Sequence, residues 1–144
     1  MADLVRRVGN LEPNTTYAYL LLCSHFAESC VVAKCQDELV GVLLGYRKPA
    51  DPSRLFIWQV GTKAEMRGQG LAGAMLDTLK ARAAAAGATH FELTIAPSNE
   101  SSWLLFKKWA KRSGLNLKQE EGFSSSLFGD EGHEAEALVV IGPF

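Results

Sequence analysis

No run of apolar residues reaches the ~20 needed to span a bilayer as a helix, and no signal-peptide pattern opens the chain. The expectation is a cytoplasmic protein with no membrane partner. A basic excess is also missing. Fifteen Lys and Arg stand against sixteen Asp and Glu, a formal charge of -1, which argues against general nucleic-acid or membrane-surface binding. Cysteine is scarce and odd in number: Cys23, Cys30 and Cys35 lack zinc-finger spacing, so no disulfide framework and no metal site is expected. Reduced thiols in or near the core fit better. Internal repeats and low-complexity linkers are absent, and 144 residues suit a single domain spanning 1–144. A P-loop is excluded because no Gly-Lys-Ser/Thr follows a glycine loop. Gly68, Gly70 and Gly73 can be forced into a dinucleotide fingerprint, but no acidic residue ends the next strand, where Glu92 sits mid-strand.

What is present is an ordinary globular balance, 47% apolar and 22% charged, enough to bury roughly two-thirds of the unfolded surface. Leu4–Val8 reads as the tail of a helix. Asn14 or Thr15 caps a second, over about Thr16–Glu28, with Tyr17, Leu20, Leu21 and Cys23–Ser24 setting its apolar side. Cys30–Cys35 and Leu39–Arg47 read as strands joined by a tight turn at Asp37-Glu38. Arg54–Thr62 is β-branched and aromatic, a central strand. Leu71–Ala86 has a helical stripe at 71, 72, 75, 76 and 79 and ends at Gly87. Thr89–Ile95 alternates as a strand. Ser98 or Asn99 caps a helix to about Arg112, and Phe123–Phe128 and Ala135–Ile141 read as two closing strands. The class is α/β, with a mixed sheet flanked by helices and not a regular parallel repeat.

The segment Met66-Arg67-Gly68-Gln69-Gly70-Leu71-Ala72 carries the chemistry. Glycines let the backbone turn sharply and approach a ligand, and the following helix presents unpaired N–H groups at its positive end. Such a loop cradles an anion of the pyrophosphate kind, with Arg67 adding a charge-assisted bond. An ordinary glycine-rich turn remains an equal reading of the loop by itself.

Arg67-x-x-Gly70-x-Ala72 after a strand resembles the Arg/Gln-x-x-Gly-x-Gly/Ala motif of the GNAT superfamily of N-acetyltransferases. Longer stretches are similar to the acetyltransferases that act on L-2,4-diaminobutyrate in ectoine synthesis. They are Leu11–Leu21, His25-Phe26, Leu55–Val60, Thr94–Asn99 and His133-Glu134-Ala135-Glu136. The resemblance implies a mostly antiparallel GNAT sheet from which the usual first strand is missing. It implies acetyl-CoA as co-substrate, a small diamino acid as acceptor, acetylation of its γ-amine and a homodimer. It places Val60, Gly61 and Thr62 beside pantetheine and residues Arg67, Gly68, Gln69, Gly70, Leu71 and Ala72 on the pyrophosphate. Asn99 is expected to bond cofactor or substrate. Glu12, Asn14, Thr15, Tyr17, Trp58, Gln59, His133 and Glu136 are expected around the substrate. Glu136 is the expected proton acceptor, His133 the second choice, and Tyr17 a hydrogen-bonding catalytic residue. Two positions depart from the family: Glu12 replaces the usual Asp, and Phe106 falls where many members carry a thiolate-protonating tyrosine.

Taken singly, several of these residues have plainer readings. Trp58 and Tyr17 read as core, His133 as part of a solvated loop, and one of Glu134 and Glu136 as pointing to solvent. The basic run Lys107, Lys108, Lys111 and Arg112 reads as a solvated helix face. His25 and His90 read as structural. A GNAT enzyme for another amine, or a module that binds acyl-CoA without turnover, remains a competing function.

Overall fold

The computed structural model describes residues 2–8, 11, 14–129 and 132–144. They fall into two compact units, Met1–Ala88 and Thr89–Phe144. The expected class, α/β with mostly antiparallel strands flanked by helices, is the one observed. No helix among the described residues is long and apolar enough to cross a membrane.

The first unit opens with α1 (Ala2–Val8) and α2 (Thr16–His25), followed by a 3₁₀ turn at Ala27–Ser29. Strands β1 (Val31–Cys35), β2 (Glu38–Arg47) and β3 (Arg54–Thr62) pair antiparallel in that order. Gln36 and Asp37 both hold positive φ, 47° and 65°, the two-residue type I′ geometry that matches strand twist. The turn thus sits one residue earlier than the sequence indicates. β2 is buried from Val40 through Gly45, as a strand covered on both faces must be. One face meets Leu4, Val5 and Val8 of α1 and Tyr19 and Leu22 of α2. On the other, Gly41 lies against Met75 of α3 (Leu71–Ala85), whose Met75, Leu76, Leu79 and Ala83 are buried. Met75, Leu76 and Leu79 contribute about 1.5–3 kcal/mol each when fully buried.

The second unit is an antiparallel ladder in the order β4 (His90–Ile95), β6 (Glu136–Gly142), β5 (Asn116–Phe123). Against it lies α4 (Glu100–Arg112), burying Phe106, Trp109 and Ala110. Phe91 stacks on Trp109 at 5.7 Å between centroids. Asn99 caps α4 by accepting from the Ser102 amide.

Four expectations are corrected. The buried side of α2 is Tyr19 and Leu22, while Tyr17 is 68% and Leu20 59% exposed. Nearly every position of α2 is apolar, so periodicity could not choose the face. The helix also stops at His25, and the rest of the expected stretch tightens into the 3₁₀ turn. The strand expected at Phe123–Phe128 lies instead at Asn116–Phe123, with a 3₁₀ turn over Ser125–Phe128. Its polar sequence, Asn-Leu-Lys-Gln-Glu-Glu-Gly-Phe, hides a strand whose residues are mostly exposed. Of the cysteines only Cys30 is buried; Cys23 and Cys35 are exposed.

Candidate active site

The 66–72 loop is built by β3 delivering the chain into a 3₁₀ turn at Ala64–Met66, closed by Met66 and Arg67 amides bonding back to Lys63 and Ala64. Gly68 and Gly70 then take φ of 75° and 78°, a conformation that costs most residues with a Cβ about 1–2 kcal/mol. Gly70 is the N-cap of α3, and its carbonyl accepts the Ala74 amide at 3.0 Å. The amides of 68–72 lie in the hydrogen-bonded turn 67–70 and the first turn of α3, at the positive end of that helix. A Cβ built on Gly68 or Gly70 would meet nothing within 4 Å. These glycines are therefore demanded by dihedral angle, and the space above them is open. Arg67 donates from its guanidinium to the Val8 carbonyl at 2.7 Å, tying the C-terminal end of α1 to the loop. Gln69 bonds the Glu65 carbonyl at 2.9 Å.

β3 carries an irregularity at the expected substrate wall. Leu44 faces Gln59 and Gly45 faces Ile57, so Trp58 has no cross-strand partner on β2. Bulges of this kind re-aim side chains. Trp58 is 40% exposed, while Gln59 beside it is 7% exposed. The Tyr19 hydroxyl donates to Gln59 Oε1 at 3.4 Å and accepts from the Asn14 amide at 3.0 Å. Thr15 caps α2 through its hydroxyl, accepting from the Ala18 amide. Val60 and Thr62 are half-buried and Gly61 is buried. A Cβ on Gly61 would press to 2.7 Å from Val8 and 2.8 Å from Leu11, so its missing side chain admits α1. Tyr17 lies about 200° around the helix from Tyr19 and faces outward. Glu12 lies outside the described residues.

In the second unit Glu136 opens β6. Thr94 pairs with Leu138 across the ladder, which sets Glu136 diagonally on the same face. The Thr94 hydroxyl donates to Glu136 Oε2 in a short hydrogen bond. The other oxygen, Oε1, lies 3.9 Å from His133 Nε2. His133 Nδ1 is 2.7 Å from the Glu134 carbonyl. A carbonyl only accepts, so Nδ1 carries a ring proton and Nε2 is the nitrogen turned toward Glu136. Phe128 stacks on the ring at 4.0 Å and 19°. Glu136 Oε1 and His133 Nε2 thus face each other at 3.9 Å, a carboxylate and an imidazole near enough to act on one substrate amine. Glu134 turns away and accepts the Ser98 amide at 3.2 Å. The Asn99 carbonyl oxygen accepts from Ser101 and Ser102, leaving its amide nitrogen for any ligand. Phe106 is buried in α4.

Tyr19, Thr94 and Phe128 are the residues the sequence did not single out. The alternation of β4 was a signal for Thr94, since it sets residues 92 and 94 on one face. Nothing in the sequence said which strand pairs with that face.

A model of the Acetyltransferase (GNAT) family matches residues 4–110. The chain is 42% identical to the L-2,4-diaminobutyric acid acetyltransferase of Marinococcus halophilus, over 99% of this chain and 84% of that protein. It is 41% identical to the enzyme of the same name from Halomonas elongata, over 99% and 74%. It is similar in structure to diaminobutyrate acetyltransferase from Paenibacillus lautus, solved with L-2,4-diaminobutyric acid and coenzyme A. There the TM-score is 0.91 at 36% identity, covering 99% of this chain and 86% of that one. With a family model spanning most of its length and relatives alike nearly end to end, the chain belongs to the GNAT acetyltransferase family.

Proposed function

We propose that this chain transfers the acetyl group of acetyl-CoA to the γ-amine of L-2,4-diaminobutyrate, giving N4-acetyl-L-2,4-diaminobutyrate for ectoine synthesis. The observation that carries this reading is the likeness, over 99% of the chain, to an acetyltransferase solved with that diamino acid and coenzyme A.

The amine resembles a lysine side chain, pKa ~10.4, and reaches the site protonated. A carboxylate must accept that proton before the nitrogen attacks the thioester carbon and the coenzyme thiolate departs. Glu136 is the proton acceptor and His133 its neighbour in that task. Glu12, Asn14, Thr15, Tyr17, Trp58 and Gln59 recognise the diamino acid. The loop 67–72 holds the pyrophosphate through main-chain amides at the start of α3, Val60, Gly61 and Thr62 line the pantetheine, and a Val60 N–H polarises the thioester carbonyl. With Phe106 in place of a tyrosine, the thiolate takes its proton from the amine or from water. The protein works as one domain and as a cytoplasmic homodimer, in osmoadaptation. The exposed apolar residues Tyr17, Leu20 and Leu21 of α2 support self-association.

The test is thiol release from acetyl-CoA with a panel of amines, and NMR of the product. Rapid release with 2,4-diaminobutyrate and acetylation at N4 are expected. Release only with other amines, or none at all, overturns the reading.

A further inference from the structure

We propose that Thr94 is a positioning residue for the acetyl transfer, acting through Glu136; the proposal rests on the role just assigned to that carboxylate. A glutamate has three side-chain torsions, and an unheld carboxylate at the start of a strand would sample many orientations. Here the pleat of β4 and β6 brings Thr94 and Glu136 onto one face. The Thr94 hydroxyl occupies Oε2. One oxygen is thereby held by a donor, and the other is turned toward His133 Nε2 at 3.9 Å. His133 is itself held, by the Glu134 carbonyl at Nδ1 and by the Phe128 ring on its face. The second carboxylate oxygen and the second ring nitrogen are thus held facing each other, and Thr94 supplies the only hydroxyl bond that Glu136 receives among the described residues.

Valine is nearly isosteric with threonine and favours strands equally, so Thr94→Val removes the hydroxyl and little else. Thr94→Ser keeps it. The expected result is a loss of about ten- to a hundredfold in kcat for T94V, the rate equivalent of one charge-assisted hydrogen bond. KM for acetyl-CoA and the melting temperature should stay near wild type, and T94S should recover most of the rate. The decisive measurement is the double variant T94V/E136Q. If Thr94 acts through Glu136, its loss adds nothing once the carboxylate is gone. A T94V enzyme with normal kcat, or one whose full loss reappears in the E136Q background, overturns the proposal while leaving the reading of Glu136 intact. An E136Q enzyme with normal kcat overturns both.

Discussion

Tyr19 joins two parts of the first unit: its hydroxyl donates to Gln59 Oε1 at 3.4 Å and accepts from the Asn14 amide at 3.0 Å. Tyr19 is 3% and Gln59 7% exposed, so the bond between these two side chains is closed off from water. Through one oxygen, the chain leading into α2 is fastened to β3 beside Trp58.

Tyr19→Phe keeps the ring and deletes that oxygen. It removes both hydrogen bonds made by that buried oxygen, which costs about 1–3 kcal/mol. A calorimetric melt should show the loss, and KM for the diamino acid should rise several-fold because Asn14 and Gln59 lose their common anchor. A Y19F protein with unchanged stability would mean that the bond is not made in solution.

The pairing of Glu38 with Lys63 gives a pH dependence of definite sign. The Lys63 ammonium, bonded to Glu38, holds the Glu38 carboxyl below its usual range, and the attraction of the same charge adds to this. A carboxyl whose folded pKa is depressed stabilises the fold above its unfolded value, ~4.3, and loses that contribution as pH falls below it. Glu38→Gln should therefore lower the melting temperature at neutral pH, with the difference from wild type closing toward about pH 3. A constant difference across that range would remove the pair from the acid response.

How much of this could be read in the sequence follows from what each segment contained. β3 was legible residue for residue because Arg54–Thr62 is dense in β-branched and aromatic side chains. The bend at 67–72 was legible because glycines at positive φ leave a mark that few other residues can replace. α2 was not: with apolar side chains all around it, only the surrounding strands decide that Tyr19 goes in and Tyr17 stays out. β5 failed for the opposite reason, since an exposed strand needs no apolar alternation. The bond from the Arg67 guanidinium to the Val8 carbonyl was not legible, since spacing could not reveal a contact 59 residues away. His133 and Glu136 were legible as a motif, but their mutual distance depends on how β6 begins and on the Phe128 ring.

The thiols should separate by burial. Burial pushes the Cys30 thiol up, outweighing the Gly45 carbonyl it bonds, while Cys23 and Cys35 are exposed. Thiolate is the reactive form. Two thiols should react quickly with Ellman's reagent in the native protein and the third only on unfolding, with Cys30→Ala removing the slow one. Three equal rates would place Cys30 at the surface.

The glycine bend allows folding and coenzyme binding to be tested apart. Gly70 holds φ 78° with free space where a side chain would go, so Gly70→Ala is strained by conformation alone, by about 1–2 kcal/mol. Asparagine tolerates that conformation far better, and Gly70→Asn should recover most of the stability. Both side chains would nevertheless stand over the amides that face open space. Titration calorimetry should show coenzyme A binding weakened about tenfold or more in each, since main-chain N–H groups cannot close on a phosphate past a Cβ. If G70A and G70N both bind coenzyme A as the wild type does, the pyrophosphate lies elsewhere. If G70A binds weakly and G70N normally, the fault is strain, and the glycine serves the turn and not the ligand.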